Sequence, residues 1–495
     1  MNEITFFIVL SAVLVVALKW RAGLFACVLI ALLQDPLRKL APNQPMVYVI
    51  LVGIVFAAAW VGALVAGVRL SPTVVHGWQR DLLLPFTLFC ALLVAQALHT
   101  VVRWDNDVLP LVGAIFYLAP IPAVLFAHQY AVRTGTNGIA RLMGFYVVLA
   151  LIWFVSIYIE SAGVRSPLLG EVGAGQIIYG AGLNVKANSG LFRAAEIAAW
   201  HVATTSCFLF MLLNGRKLSV PKTLGVALVV VFLIGIGLAT GRRKMLVQIV
   251  IFSSVYLFLF SWFLKGKARM AMLSIMAGIV SFAVVLTVMG PDAGDKTFEM
   301  LDRRVAKTDQ FDAWTNRGLG VFKDIPDRVV GFGYSPLFGA VDRFGWFGAG
   351  LGTASQGGQY FGGGFMKFGG AGEGGLGKVT MDLGVPGLCV FLWLIWTTIR
   401  MIWKRLYVLS CASRPHATLA FGFFAFLASN VAAFAVATQA FGDVFILLTL
   451  GWAVGFLLAM PAVAAREISA ATTMSPPLTV APTHGSHIPI TRPQT

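Results

Sequence analysis

Charge is scarce in this 495-residue chain: Asp, Glu, Lys and Arg make up 12% of it, against 58% hydrophobic residues. A soluble domain of that length needs far more polar surface, so a soluble globular protein is excluded. Acid is scarcer than base, with 21 Asp and Glu against 37 Lys and Arg, a formal net charge of +16. No soluble segment carries a Lys/Arg tract with interleaved aromatics, which excludes nucleic acid as a partner. The surplus points to anionic membrane lipids and anionic lipid-linked substrates. Cysteine is rare. Cys27, Cys90, Cys207, Cys389 and Cys411 have no metal-like spacing to each other or to histidine, so neither a disulfide framework nor a zinc site is expected. No nucleotide-binding motif is present, which argues against ATP-driven export by this chain alone, and no metal or cofactor is expected. The start, MNEITFF, lacks the basic region and small-residue cleavage site of a signal peptide and reads as a retained first helix.

What the chain does have is apolar runs of about 20 residues, the length that crosses a hydrocarbon core, and a mean hydropathy of +0.83. The expected fold is an all-α polytopic membrane protein. About thirteen transmembrane helices fall near 4–19, 22–34, 46–68, 82–101, 108–130, 140–162, 193–214, 223–240, 245–264, 270–289, 379–402, 417–438 and 441–462. The second is short and could be re-entrant, and Pro120 with Pro122 is expected to kink the fifth. Five regions follow: N-terminal helices 1–139, a transmembrane core 140–289, a large outer loop 290–378, C-terminal helices 379–465 and a disordered tail 466–495.

Alternate connections carry Lys19/Arg21, Arg69/Arg80, Arg133/Arg141, Arg216/Lys217/Lys222, Lys265/Lys267/Arg269 and Arg400/Lys404/Arg405/Arg414, with almost no acid. The positive-inside rule assigns them to the cytoplasm, with the N-terminus outside and the C-terminus inside. Two outward connections are long, 163–192 and 290–378. The second opens with a stretch alternating charge and apolar residues at helical spacing, which predicts amphipathic helices at the membrane surface. From 331 to 378 it holds eighteen glycines in 48 residues, with Phe, Trp and Tyr among them. Such a stretch either brings backbone amides close to an anionic or sugar ligand or is a flexible loop.

This topology puts GLATGRRKMLVQ, residues 237–248, on the outside, against the positive-inside bias. Arg242 and Arg243 there either snorkel to lipid phosphates or hold a large anion, for which the planar guanidinium fork is suited. Arg193 and Glu196, three apart near the seventh span, either pair at the interface or belong to the same site. His201 lies about two turns deeper and is either a satisfied core histidine or a functional group.

At GRRK and in the large loop the chain resembles the O-antigen ligase/polymerase superfamily, membrane glycosyltransferases that use polyprenyl-pyrophosphate-linked glycans. The likeness rests on TGRRK, on NRGLGVFKDIPDRVVGFGYS with Arg317, and on GAGEGGLGKVTMDLGVPGL leading into the next span, and covers roughly residues 140–460. Where ligases carry a histidine, this chain has Glu373, as polymerase-like members have an acidic or neutral residue.

The resemblance implies polymerisation of lipid-linked oligosaccharide repeat units into exopolysaccharide or O-antigen, facing the periplasm, in the bacterial inner membrane. Arg242, Arg243, Arg193 and Arg317 would hold the pyrophosphate, and Glu373 would act as base, with Glu196 in reserve. His201, Lys244 and Lys378 are second-tier candidates. Glu373 could instead pair with Lys367 or Lys378. The growing glycan acceptor and membrane lipids are the implied partners, with a chain-length regulator or export protein beside them. Competing readings are a ligase for finished lipid-linked glycan, a peptidoglycan polymerase of the shape-and-division type, a lipid-linked-sugar flippase, and a scaffold without catalysis.

Overall fold

The structure, a computed structural model, describes residues 3–69, 72–172, 177–180, 183–214, 219–242, 244–263, 335–355, 374–436 and 438–474. Its helices are α1 Glu3–Leu18, α2 Gly23–Leu40, α3 Leu51–Val65, α4 Pro72–Trp104, α5 Val108–Leu118 and α6 Pro120–Ser161. They continue with α7 Ala195–Leu213, α8 Val220–Ala239, α9 Lys244–Phe263, α10 Ser335–Phe344, α11 Gly375–Ala412, α12 Arg414–Val436 and α13 Val444–Met474. One hairpin, β1 Ile177–Gly180 against β2 Leu183–Lys186, is antiparallel. Among the described residues nine helical stretches are long and apolar enough to cross a membrane, and Thr5–Leu18 and Val247–Phe263 are shorter apolar helices. The chain is an all-α multi-pass membrane protein.

The bundle is built on α6 and α13, which pack along each other through small residues. A Cβ at Gly455 would meet His128 N at 3.0 Å and Ala127 Cβ at 2.8 Å, and one at Gly451 would meet Pro120 O at 2.6 Å. Backbones this close give the dispersion contact that holds helices together where lipid offers no hydrophobic drive. Around this pair one apolar core joins α1, α2, α3, α7, α8, α9, α12 and the second half of α11. A smaller cluster joins α4 and α11 to Leu351.

The element bounds differ from the expected spans where local chemistry intervenes. The second span is a full helix of 18 residues that carries Asp35, Arg38 and Lys39 in its last turns and passes through Pro36. The expected break between the fifth and sixth spans narrows to one residue, Gly135, at φ 72°, inside α6. The interruption at the proline pair falls at Ala119, immediately before Pro120. Arg193 lies outside its expected helix, because Ala194 is extended and α7 starts at Ala195. The tail expected to be disordered from 466 instead continues α13 to Met474. Alanine-rich sequence propagates that helix, and Glu467 gains partners in it. The 270–289 span, the amphipathic helices expected within 290–334 and the chain after 474 lie outside the described residues.

Two sets of connections gather at opposite ends of the bundle. At one, Arg133 stacks 5.5 Å over Trp20, Arg414 lies over Phe260, and Glu467 bonds Thr136 and His416. At the other, residues 35–39, 160–172, 188–196, 239–242 and 443 meet. The basic connections at 19–21, 133 and 414 therefore share an end, and Arg242 sits at the other.

Candidate functional site

The Arg242 end is dense in charge. Helix α8 closes with Thr240, whose hydroxyl donates to Gly237 O at 2.7 Å and accepts from the Arg242 amide at 3.3 Å. This turn, with Gly241 at φ 67°, directs Arg242 across to the start of α7. There its Nη1 lies 3.1 Å from Glu196 Oε1, and its Nη2 is 4.0 Å from Glu171 Oε1. Glu171 also accepts the Ala195 amide at 2.9 Å, which fixes the first turn of α7. Both acids sit at that helix N-terminus, where the backbone dipole favours negative charge.

Arg193 is held elsewhere. Its Nη1 is 3.1 Å from Asp35 Oδ1 and 2.7 Å from Asp443 Oδ2, with the side chains 8%, 3% and 3% exposed. Asp35 Oδ2 accepts the Arg193 amide at 3.0 Å. Asp443 Oδ1 caps α13 by accepting from Phe445 N at 2.7 Å and Ile446 N at 3.2 Å. One guanidinium thus ties α2 to α13, neutralised on both sides. The two arginines are at the same end, but Arg193 pairs with Asp35 and Asp443 while Glu196 pairs with Arg242. Of the two readings of Arg193 and Glu196, the direct pair is not formed, because Arg193 precedes the helix and does not share its face.

The connection between α6 and α7 is anchored by two further buried groups. Glu160 Oε2 accepts Ser189 N at 2.9 Å and Gly190 N at 2.7 Å. Lys39 Nζ donates to Gly190 O at 2.7 Å and Leu168 O at 3.2 Å. Gly190 is at φ 57°, and a Cβ there would fall on Ile157 N at 2.8 Å, so only glycine lets this turn sit against α6.

His201 lies in an aromatic stack, its ring 4.8 Å from Phe192 and 5.7 Å from Phe445. Its Nδ1 is 2.7 Å from the Tyr146 hydroxyl. Beneath the stack an apolar cavity is lined by residues including Tyr146, Phe208, Phe445, Trp452 and Phe456. Of the remaining candidates, Lys244 starts α9 next to Arg242 in sequence. Arg243, Arg317 and Glu373 lie outside the described residues.

A second cluster forms where residues 345–355 wedge between α4, α5 and α11. Gln96 Nε2 donates to Phe347 O at 2.9 Å, Arg103 Nη1 to Gly348 O at 3.0 Å and Trp104 Nε1 to Ala349 O at 2.8 Å. Thr100 donates to Leu351 O at 3.1 Å. Irregular backbone is stable at such a place only when its carbonyls are satisfied by protein. Asp382 accepts Ala354 N at 2.9 Å and the Tyr117 hydroxyl at 3.1 Å. Gly348 and Gly384 are left-handed, and a Cβ on Gly348 would meet Met381 O at 2.6 Å. Gly348, Gly350 and Gly352 thus serve close backbone packing. The rest of the glycine-rich stretch up to the start of α11, 356–373, lies outside the described residues.

Sequence reasoning missed Asp35, Glu171 and Asp382. For Asp35 the signal existed, an ionisable residue in an apolar helix, but the expected span stopped at 34, just before it, whereas α2 runs on to Leu40. Asp382 carried the same signal inside the expected span 379–402, and Glu171 is a single acid in the long connection 163–192; only tertiary packing gives them partners.

Comparison of the chain with protein-family models and with curated proteins finds no match.

Proposed function

We propose that the chain is a membrane glycosyltransferase that polymerises polyprenyl-pyrophosphate-linked oligosaccharide units at the periplasmic face of the bacterial inner membrane, without metal, through a bundle of thirteen spans. The observation that carries this reading is the Arg242–Glu196 pair at the end of the bundle opposite the basic connections. A cation kept at that end, against the positive-inside bias, calls for an anionic ligand there.

In the proposed step the bond from sugar C1 to the pyrophosphate oxygen breaks as an acceptor hydroxyl oxygen bonds to C1. The hydroxyl proton passes to a carboxylate, and the lipid pyrophosphate leaves with added negative charge. Arg242, with Arg243 and Lys244 beside it in sequence, stabilises that charge. Pyrophosphate oxygens that draw Arg242 away from Glu196 leave that carboxylate free to take a proton. Glu373 and Arg317 keep the roles that the resemblance implies. Arg193 moves from ligand binding to scaffolding, because two buried carboxylates already neutralise it.

The test is polymer length. In a deletion strain complemented with wild type or with Arg242→Ala/Arg243→Ala, lipid-linked and surface glycans are resolved on gels. Loss of long polymer with accumulation of single lipid-linked repeats supports the proposal. Accumulated long lipid-linked polymer identifies a ligase instead, and repeats confined to the cytoplasmic face identify a flippase.

A further inference from the structure

At the end of the bundle away from Arg242, three side chains form a relay that the proposed transfer does not use. Ser413 Oγ lies 2.7 Å from His416 Nδ1, and His416 Nε2 lies 3.0 Å from Glu467 Oε2. Local sequence accounts for the first contact. Ser413 is the extended residue, at φ −155° and ψ 112°, between α11 and α12. It therefore stands as the N-cap of α12, where a hydroxyl reaches over the first turn toward the third helical residue. That residue is His416, and the hydroxyl meets its ring. Glu467 arrives from α13 and is itself pinned. Its Oε1 accepts the Thr136 amide at 2.8 Å, and the Thr136 hydroxyl lies 3.1 Å and 3.0 Å from its two oxygens.

The direction of these hydrogen bonds decides what the relay can do. An ionised carboxylate only accepts, so His416 Nε2 carries its hydrogen toward Glu467. The neutral ring then keeps its lone pair on Nδ1, and Ser413 donates to it. In this order an imidazole can take the proton of a hydroxyl nucleophile, while the carboxylate fixes its tautomer and steadies the imidazolium. Capping α12 asks only for the serine oxygen and does not need a ring backed by a carboxylate. Exposure follows the roles. The His416 side chain is 10% exposed and that of Glu467 30%. Ser413 is half-buried, and its neighbours Ala412, Arg414 and Pro415 are exposed. The base is shielded and the nucleophile can be reached. Tyr407 and Val408 near the end of α11, and Ile468 beside Glu467, are exposed apolar side chains. The relay therefore opens where lipid meets this end of the bundle.

We propose that Ser413, His416 and Glu467 form an acyl-transfer site that takes the acyl group of a long-chain ester or thioester at the membrane surface. The Ser413 oxygen bonds the carbonyl carbon as its proton passes to His416 Nδ1. The bond from that carbon to the leaving oxygen or sulfur breaks, and His416 returns the proton to the leaving atom. Water attacking the acyl-serine by the same route releases the fatty acid and restores Ser413. The site shares no residue with the Arg242 pair and does not rest on the glycosyl transfer proposed above. A phospholipid supplies the ester from within the bilayer, and an acyl thioester supplies the same carbonyl from water.

The test uses the full-length protein in nanodiscs of an ether-linked phosphatidylcholine, which offers no ester of its own. A fluorophosphonate probe, which loses fluoride to an activated serine, is added, and the adduct is located by peptide mass. Wild type should be labelled at Ser413, and Ser413→Ala should lose that label. Labelling of Ser413 in His416→Gln should be at least about 100-fold slower, and in Glu467→Gln intermediate, with melting curves confirming that each variant is folded. A relay that only caps α12 would lower the melting temperature of the variants and leave Ser413 unlabelled. Absence of label at Ser413 in wild type overturns the proposal without any variant, as does labelling of His416→Gln at the wild-type rate. The donor is then read with dioleoylphosphatidylglycerol in the nanodisc or oleoyl-coenzyme A in solution. Oleoyl-Ser413 or released oleate with the first assigns a membrane ester, and with the second alone a soluble thioester. Neither product from either donor overturns the acyl assignment.

Discussion

At Arg193 one guanidinium answers to two carboxylates, and all three groups are shielded from water. Such a set adds little stability compared with an apolar replacement of the whole, but removing one member leaves uncompensated charge. Arg193→Met should therefore cost about 3–5 kcal/mol, read as loss of unfolding free energy in detergent. Adding Asp35→Asn and Asp443→Asn should recover part of that loss, and failure to recover any would remove the clamp from the account. Arg242 stands in a different balance, with its side chain 13% exposed, Glu196 at 3.1 Å and Glu171 only at 4.0 Å. Arg242→Ala is expected to abolish polymer while lowering stability less than Arg193→Met does, checked by glycan gels alongside melting curves. Glu196→Gln should reduce product formation with the fold intact, because the amide neither pairs with Arg242 as a charge nor takes a proton.

At the scale of elements, two helices are broken where the chain needs a joint. In α11 the break is Gly384, at φ 71°, and a Cβ there would meet Trp346 O at 2.6 Å. Val385 N donates to that same carbonyl at 2.9 Å, so the break is what docks the 345–355 wedge on α11. Gly384→Ala combines left-handed strain with a backbone clash, and we expect a loss of at least about 1–3 kcal/mol in thermal unfolding. In α6 the break is Gly135, at φ 72°, and Glu467 of α13 takes over the freed backbone. Its Oε1 accepts the Thr136 amide at 2.8 Å, and its Oε2 bonds His416 at 3.0 Å. Glu467 thus acts as an N-cap donated from another helix, and Glu467→Ala should cost about 0.5–2 kcal/mol, with Glu467→Gln milder. Equal melting of wild type and Glu467→Ala would show that the joint holds without it.

For the whole molecule, the helices sort their connections onto two ends. Residues 163–172, 188–196 and 239–242 meet at one, and 19–22, 133–136 and 413–416 at the other. Single cysteines placed at the exposed Val164 and Tyr407, in a chain whose own five cysteines are replaced by serine or alanine, should react with a membrane-impermeant maleimide from opposite sides. In right-side-out cells only the Val164 position should label if the Arg242 end faces outward. Labelling of Tyr407 alone would invert the orientation and move the proposed chemistry to the cytoplasm.

The class of this protein was legible in its sequence because the bilayer imposes it: apolar runs of spanning length can only be helices, and most of their positions are readable from hydropathy. The alternation of basic loops was likewise enough to place Arg242 apart from Arg133 and Arg414, since each spanning helix reverses the side. What the sequence could not supply was pairing. Arg193 and Glu196 are neighbours along the chain, yet a single extended residue, Ala194, turns one toward Asp35 and Asp443 and leaves the other for Arg242. Asp35 and Asp443 are more than four hundred residues apart, and nothing local marks them as partners. Glycine at 348 looked like loop composition, and Gly384 like an ordinary position inside a span, until the approach of α11 to the 345–355 backbone showed why no Cβ fits. Hydropathy and charge act along the chain and are visible there. Which charge neutralises which depends on where helices distant in sequence end up side by side, and only the packed bundle decides that.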